Sequence, residues 1–202
     1  YLTLYNEPYP NPPAPEGAEE GIRRGLYLVR SREAPDISPR PQLLGSGPLL
    51  REALRAQDLL ADRFGVASDV WSVTSYRELR RDALAAERWN RLHPDEPARS
   101  CHLWTLLADE RGPFVAVSDF VRQVPEQIAR WLPGRLIALG TDGFGRSETR
   151  ESLRRFFEVD AESIAYAALH ALADEDHFER AALRHARDEL GLDPDQPDPM
   201  QS

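Results

Sequence analysis

The string with the richest chemical possibilities is Gly140-Thr141-Asp142-Gly143-Phe144-Gly145-Arg146-Ser147, which stands between an apolar run and a helix-period segment. Glycines there permit backbone conformations closed to other residues, and amide donors at a helix start attract negative charge. With Arg146 adjacent, Thr141 to Ser147 can hold a small anion, a phosphate or a carboxylate. Ser147 is read as the N-cap of the following helix, with Glu148 and Glu151 suiting its positive end. Glu148 opposes an anion, so the alternative is a self-capped structural loop with Phe144 buried and Arg146 paired to an acidic neighbour. A second glycine string, Gly45-Ser46-Gly47-Pro48, stands where a dinucleotide fingerprint would. Leu50 takes the place of the third glycine, which leaves a plain strand-to-helix turn with Pro48 in its first turn.

The remaining reactive side chains form no recognisable constellation. His93 precedes Pro94, a signal that a helix ends there. Cys101 and His102 are neighbours in sequence, and neighbours diverge on either regular element, so they are not expected to activate each other. His170, His177 and His185 have no zinc-site spacing and are read as structural. Every one of the 25 basic residues is Arg, which excludes a Schiff-base lysine or a Walker-type phosphate lysine within these residues.

These groups need a scaffold, and its pattern is legible. Apolar runs at Leu26–Arg30, Gln42–Leu44, Val70–Val73, Phe114–Val117 and Leu136–Leu139 read as strands. Helix-period segments are expected at Glu16–Arg24, Leu49–Phe64, Tyr76–Leu92 and Phe120–Trp131, then at Thr149–Phe157, Glu162–Asp174 and Phe178–Leu190. Alternation of the two predicts an α/β fold: a mostly parallel sheet of about five strands with helices on both faces. Tyr1–Asn6 reads as a severed strand, and the lack of an initiating Met suggests that the sequence begins inside a longer polypeptide. Residues 1–15, crowded with proline from Pro8 to Pro15, are expected to be the end of a preceding domain and its linker. Residues 16–192 then form the α/β domain, and 193–202 a polar, frayed tail.

A 41% hydrophobic and 29% charged composition is that of an ordinary globular chain, and no window is long and apolar enough for a membrane span. The net charge of −9 and the scattered arginines argue against a nucleic-acid surface. A single cysteine makes no internal disulfide, and a cytoplasmic setting is the simplest expectation.

Several strings taken together resemble one family: Leu43-Leu44-Gly45-Ser46-Gly47, Trp71-Ser72-Val73-Thr74-Ser75, Arg80-Arg81-Asp82, Glu87-Arg88-Trp89-Asn90, Leu92-His93-Pro94, and Leu139 through Ser147 followed by Thr149-Arg150. In this order they resemble the C-terminal region of the homodimeric, decarboxylating component of pyruvate dehydrogenase, a transketolase-like family that uses thiamin diphosphate. The resemblance departs from the family pattern at Pro97–His102 and at Ser118–Arg122. It implies a three-layer α/β/α sandwich and a parent enzyme that decarboxylates pyruvate with thiamin diphosphate and Mg²⁺, passing the acetyl unit to lipoyl groups. The implied partners are the other domains of the same subunit, a homodimer partner and the dihydrolipoyl acetyltransferase component; no nucleic acid or membrane partner is expected. The family's cofactor-anchoring and catalytic residues lie in other domains, so no catalytic, cofactor-binding or metal-binding residue is expected here. This region should then serve packing and dimerisation and be inactive alone; the runner-up is a regulatory domain binding a small anion at Thr141, Asp142, Gly143, Phe144, Gly145, Arg146 and Ser147.

Overall fold

A computed structural model describes residues 9–10, 12–33 and 39–201, so the expected strand at Tyr1–Asn6 lies outside the described residues, as do Pro8 and residues 34–38. Among the described residues five strands build one sheet: β1 (Leu26–Arg32), β2 (Gln42–Gly45), β3 (Ser68–Val73), β4 (Phe114–Val117) and β5 (Leu136–Leu139). Their order is β1-β3-β2-β4-β5. The pairs β3–β2, β2–β4 and β4–β5 are parallel, whereas β1 runs antiparallel to β3. The expected mostly parallel five-stranded sheet is therefore present, with one reversed edge. That edge carries a register shift between Leu28 and Arg30, and Arg30 and Arg32 lean onto Asp58 of the helix below. A bulge and edge charges both discourage further strand addition.

Successive side chains of a strand face opposite ways, and the sheet sorts them into two cores. Leu43, Val70, Val115 and Val117 face α2 (Leu50–Phe64), α7 (Ala161–Asp174) and α8 (Leu183–Glu189). Leu44, Trp71, Ala116 and Phe114 face α3 (Tyr76–Leu92) and α4 (His102–Leu107). The result is the three-layer α/β/α arrangement. Each fully buried Leu contributes about 1.5–3 kcal/mol through removal of apolar surface from water. On the first face the buried alanines Ala53 and Ala56 of α2 and Ala161, Ala165 and Ala168 of α7 keep the helix surfaces low. Gly45 serves the same purpose at the end of β2: a Cβ there would sit 2.7 Å from the Cα of Leu50. The Gly45–Pro48 string is thus a close strand-to-helix passage through a short 3₁₀ turn, Gly47–Leu49.

At the amino ends of β2 and β3, Gln42 is fully buried and fully used. It accepts from Trp71 Nε1 at 2.7 Å, and its two Nε2 hydrogens are shared among Asp69, Glu110 and the Arg40 carbonyl at 3.1–3.2 Å. A buried amide is tolerated because its hydrogen bonds are made.

Several boundaries differ from expectation, each for a local reason. α1 occupies only Glu19–Arg24, because residues 16–18 are spent in a turn. The segment expected as one helix over Phe120–Trp131 is a single α-turn, α5 (Gln123–Glu126), and a 3₁₀ turn, Ala129–Trp131. Pro125 has no amide to donate and crowds the preceding turn. α6 covers Arg150–Phe156, and Phe178–Leu190 is a 3₁₀ turn at Arg180–Ala182 followed by α8.

Candidate functional site

The loop 140–147 leaves β5 at the carboxyl end of the sheet and is built against the loop that leaves the adjacent strand β4. Thr141 donates its hydroxyl to the Asp119 carbonyl at 2.6 Å and its amide to the Phe120 carbonyl at 3.1 Å. Asp142 accepts from Arg122 twice, from Nε at 2.8 Å and from the backbone N–H at 3.1 Å. Gly140 packs on the same backbone, its missing Cβ leaving room for the Phe120 carbonyl. Ser118 completes the turn by accepting from the Phe120 amide at 3.1 Å. Two neighbouring strand-end loops are thereby tied into one unit, with Asp142 as the hinge pin.

Gly143 has φ +98°, and a Cβ on it would meet the Pro199 carbonyl oxygen at 2.0 Å. The chain's last described residues lie over this glycine. The same tail reaches α6, where Gln196 donates to the carbonyls of Phe156 at 3.0 Å and Arg155 at 3.4 Å. These are terminal helix carbonyls, which lack partners inside the helix.

Three expectations for the loop are corrected. Phe144 is 81% exposed, not buried. Arg146 stacks over the Phe156 ring at 4.2 Å instead of pairing with an acidic neighbour as the structural reading expected. The N-cap of α6 is Thr149, whose hydroxyl accepts from the Ser152 amide at 3.3 Å, and not Ser147. Glu148 turns its carboxylate onto the Thr149 amide at 2.9 Å, which adds negative charge at the helix start. Ser147 and Gly145 are exposed.

A polar centre that the sequence did not announce lies between α2, α6 and α7. Glu52 is 4% exposed and accepts from Arg154 and Arg55, each at 2.7 Å, and from the Ala161 amide at 3.2 Å. Asp160 caps α7 on the Ser163 amide at 2.9 Å and holds Arg155 Nε at 2.8 Å. Arginines and carboxylates alternate around a hollow of about 670 Å³ lined by Glu52, Arg55, Arg154, Arg155, Asp160 and Glu162. The only sequence hint was Glu52 falling on the buried stripe of an amphipathic helix, where an acid needs a partner.

The histidines and the cysteine are placed structurally. His93 ends α3, stacked on Trp89 with centroids 3.5 Å apart, and Arg99 covers the same indole at 3.2 Å. His102 is buried, with Nε2 on the Leu26 carbonyl at 2.9 Å and its backbone amide on Asp82 at 2.6 Å. Cys101 is buried in the core on the same side of the sheet. His170 lies 3.4 Å from Asp174 and His185 3.7 Å from Glu189, each one helical turn away.

Among the described residues no group of three or more His, Cys, Asp or Glu is placed to hold a metal ion. The carboxylate of the glycine loop, Asp142, is already taken by Arg122.

Comparison with known proteins identifies the family to which this fold belongs. The family model described as the transketolase-like TK C-terminal domain matches residues 25–160. The chain is similar to the pyruvate dehydrogenase E1 component of Pseudomonas aeruginosa, 46% identical over 201 residues, covering 99% of this chain and 23% of that protein. It is likewise similar to the E1 components of Mycolicibacterium smegmatis, at 48% over 195 residues (96% and 21%), and Escherichia coli K12, at 43% over 200 residues (98% and 22%). The similarity is to their C-terminal regions of about 200 residues, so the chain spans roughly a fifth of these relatives. A transketolase structure from Pichia stipitis superposes with a TM-score of 0.51 at 17% identity, covering 79% of this chain and 19% of that one, which speaks to the fold alone. By sequence, sheet order and layer arrangement, the chain belongs to the transketolase-like C-terminal domain family.

Proposed function

We propose that this chain is the C-terminal structural and dimerisation domain of the decarboxylating subunit of a pyruvate dehydrogenase, without catalytic activity of its own. The observation that carries the reading is similarity of 43–48% over nearly all of this chain to about a fifth of each relative, all of them pyruvate dehydrogenase E1 components. The parent reaction would be oxidative decarboxylation of pyruvate with thiamin diphosphate and Mg²⁺, with transfer of the acetyl unit to lipoyl groups of a dihydrolipoyl acetyltransferase in the cytoplasm. The cofactor would be bound by other domains of the subunit. Within this one, Asp142 and Thr141 work as structural ties between strand ends, since their polar groups are engaged by Arg122 and the Asp119 carbonyl, while Gly143 leaves room for the tail to lie over the loop. That use of the loop disfavours a small anion as its ligand.

Calorimetric titration with thiamin diphosphate and Mg²⁺ tests the assignment, with the complete subunit as positive control. The expected result is saturable heat from the subunit and none from this chain. Saturable binding to the 202-residue chain would place the cofactor site here and overturn the reading.

A further inference from the structure

Large apolar side chains left in water are ordinary when single and informative when they gather. Four of them gather at the carboxyl end of β4 and β5. Phe120 and Val121 are 62% and 44% exposed, Phe144 81% and Met200 57%. Their loops adjoin: the Phe120 carbonyl and Val121 lie within 3.1 Å of where a Gly140 Cβ would stand, and Pro199 and Met200 within 3.4 Å of one on Gly143, the residue before Phe144. Three adjoining loops therefore carry these apolar side chains at one end of the sheet, and two of the loops are tied together by the Arg122–Asp142 pair. Among the described residues the other exposed large hydrophobics, Ile22, Leu28, Leu92 and Trp104, stand on α1, β1, α3 and α4 instead.

We propose that this cluster of Phe120, Val121, Phe144 and Met200 is the seat of the domain that precedes this one in the same polypeptide, an inference that rests on the functional reading above. Two observations select that occupant. Tyr9 lies in a hollow of about 210 Å³ beside Asp119 and Thr141, its ring 4.5 Å from the Arg150 guanidinium, so a residue that precedes α1 is seated at the same end of the sheet. The matched relatives have more than three quarters of their length outside the match, in the region that comes before it. Four side chains are few for partners that meet from solution, where a side commonly supplies about 20–30 residues. A tethered domain needs less, because the link keeps its effective concentration high.

Hydrogen–deuterium exchange of the 202-residue chain and of the complete subunit tests this directly. Amides at 119–122, 141–146 and 199–201 are expected to exchange about tenfold or more slowly in the subunit, with those around Leu92 and Trp104 changed little. Phe144→Asp and Phe120→Asp should abolish that protection and speed proteolysis at the Pro10–Pro15 link in the subunit. Neither should shift the melting temperature of the 202-residue chain, because both side chains stand in water there. Equal exchange in the two proteins overturns the proposal. So does protection already present in the 202-residue chain that grows with concentration, which would mark a second copy, or protection that arises only on adding the acetyltransferase. If exchange is equal while only the subunit binds thiamin diphosphate, the surface is wrong and the functional reading stands; cofactor binding by the 202-residue chain removes the functional reading itself.

Discussion

Glu52 shows what a single buried charge demands of its surroundings. Its carboxylate is withdrawn from water and repaid by two guanidinium groups and one amide, so removing it leaves Arg154, whose side chain is only 18% exposed, facing a hole. Breaking such a pair by deleting one partner costs about 3–5 kcal/mol, whereas replacing both by apolar groups of similar size can be close to neutral. Urea unfolding should accordingly show Glu52→Ala strongly destabilised and the double variant Glu52→Leu, Arg154→Met much less so; equal losses would mean that the pair is a surface contact in solution. Glu110 poses the opposite case. Burial and the neighbouring Asp69 carboxylate raise its pKa above the ordinary glutamate value, with Arg40 only partly offsetting them. A raised carboxyl pKa means that the folded state resists ionisation, so the contribution is favourable below the unfolded pKa and is lost as pH rises through the folded one. Glu110→Gln is expected to raise stability at neutral pH and to lose that advantage below the usual carboxylate range. A gain that is the same at every pH would point to packing instead of charge.

At the scale of elements, helix starts carry much of the specification. Ser75 caps α3 through the Glu78 amide at 3.2 Å, and Asp160 caps α7 while also holding Arg155. Loss of an N-cap of this kind costs about 1–2 kcal/mol, and Asp160→Ala should fall at the upper end because Arg155 loses a partner as well. Asp160→Asn keeps the cap and should recover most of the loss in thermal unfolding; failure to recover would assign the effect to the ion pair. The same elements show what can be read before folding. Phe114–Val117, Leu136–Leu139 and Tyr76–Leu92 agree with the observed β4, β5 and α3 to the residue, because an apolar run or a helical stripe bounded by turn residues is a local signal. α4 was missed: His102–Leu107 is six residues of nearly unbroken apolar character, too short for a period to register. The reversed direction of β1 was missed too, since direction depends on how distant strands meet and not on composition. For the loop 140–147 the glycines and the acid were legible, while Arg122 was not, being twenty positions away and brought near only by the β4–β5 pairing. The cap fell to Thr149 and not Ser147 because Ser, Thr and Asp all satisfy the same local rule.

Over the whole molecule the two ends of the sheet are finished in different ways. The amino ends of β2 and β3 are closed by the saturated Gln42, whose partners are Trp71, Asp69, Glu110 and the Arg40 carbonyl. At the carboxyl end, closure depends on the tail: Gln196 takes the last carbonyls of α6, and Pro199 covers Gly143, while Phe144 stays in water. Removing residues 193–202 should therefore leave most of the core in place, since Leu183, Ala186 and Leu190 lie before the cut. Its effect should be local: amides at 140–146 and 155–157 are expected to exchange about tenfold faster, in the manner of a low-stability unit opening by itself, while those of Gln42 and Asp69 keep their protection. A uniform loss of protection at both ends would mean that the tail supports the whole fold, and no change at either would mean that its contacts carry no stability. Local loosening alone would establish that the carboxyl end of the sheet is held by residues 193–201, and that the loop around Phe144 keeps its shape only while they are seated.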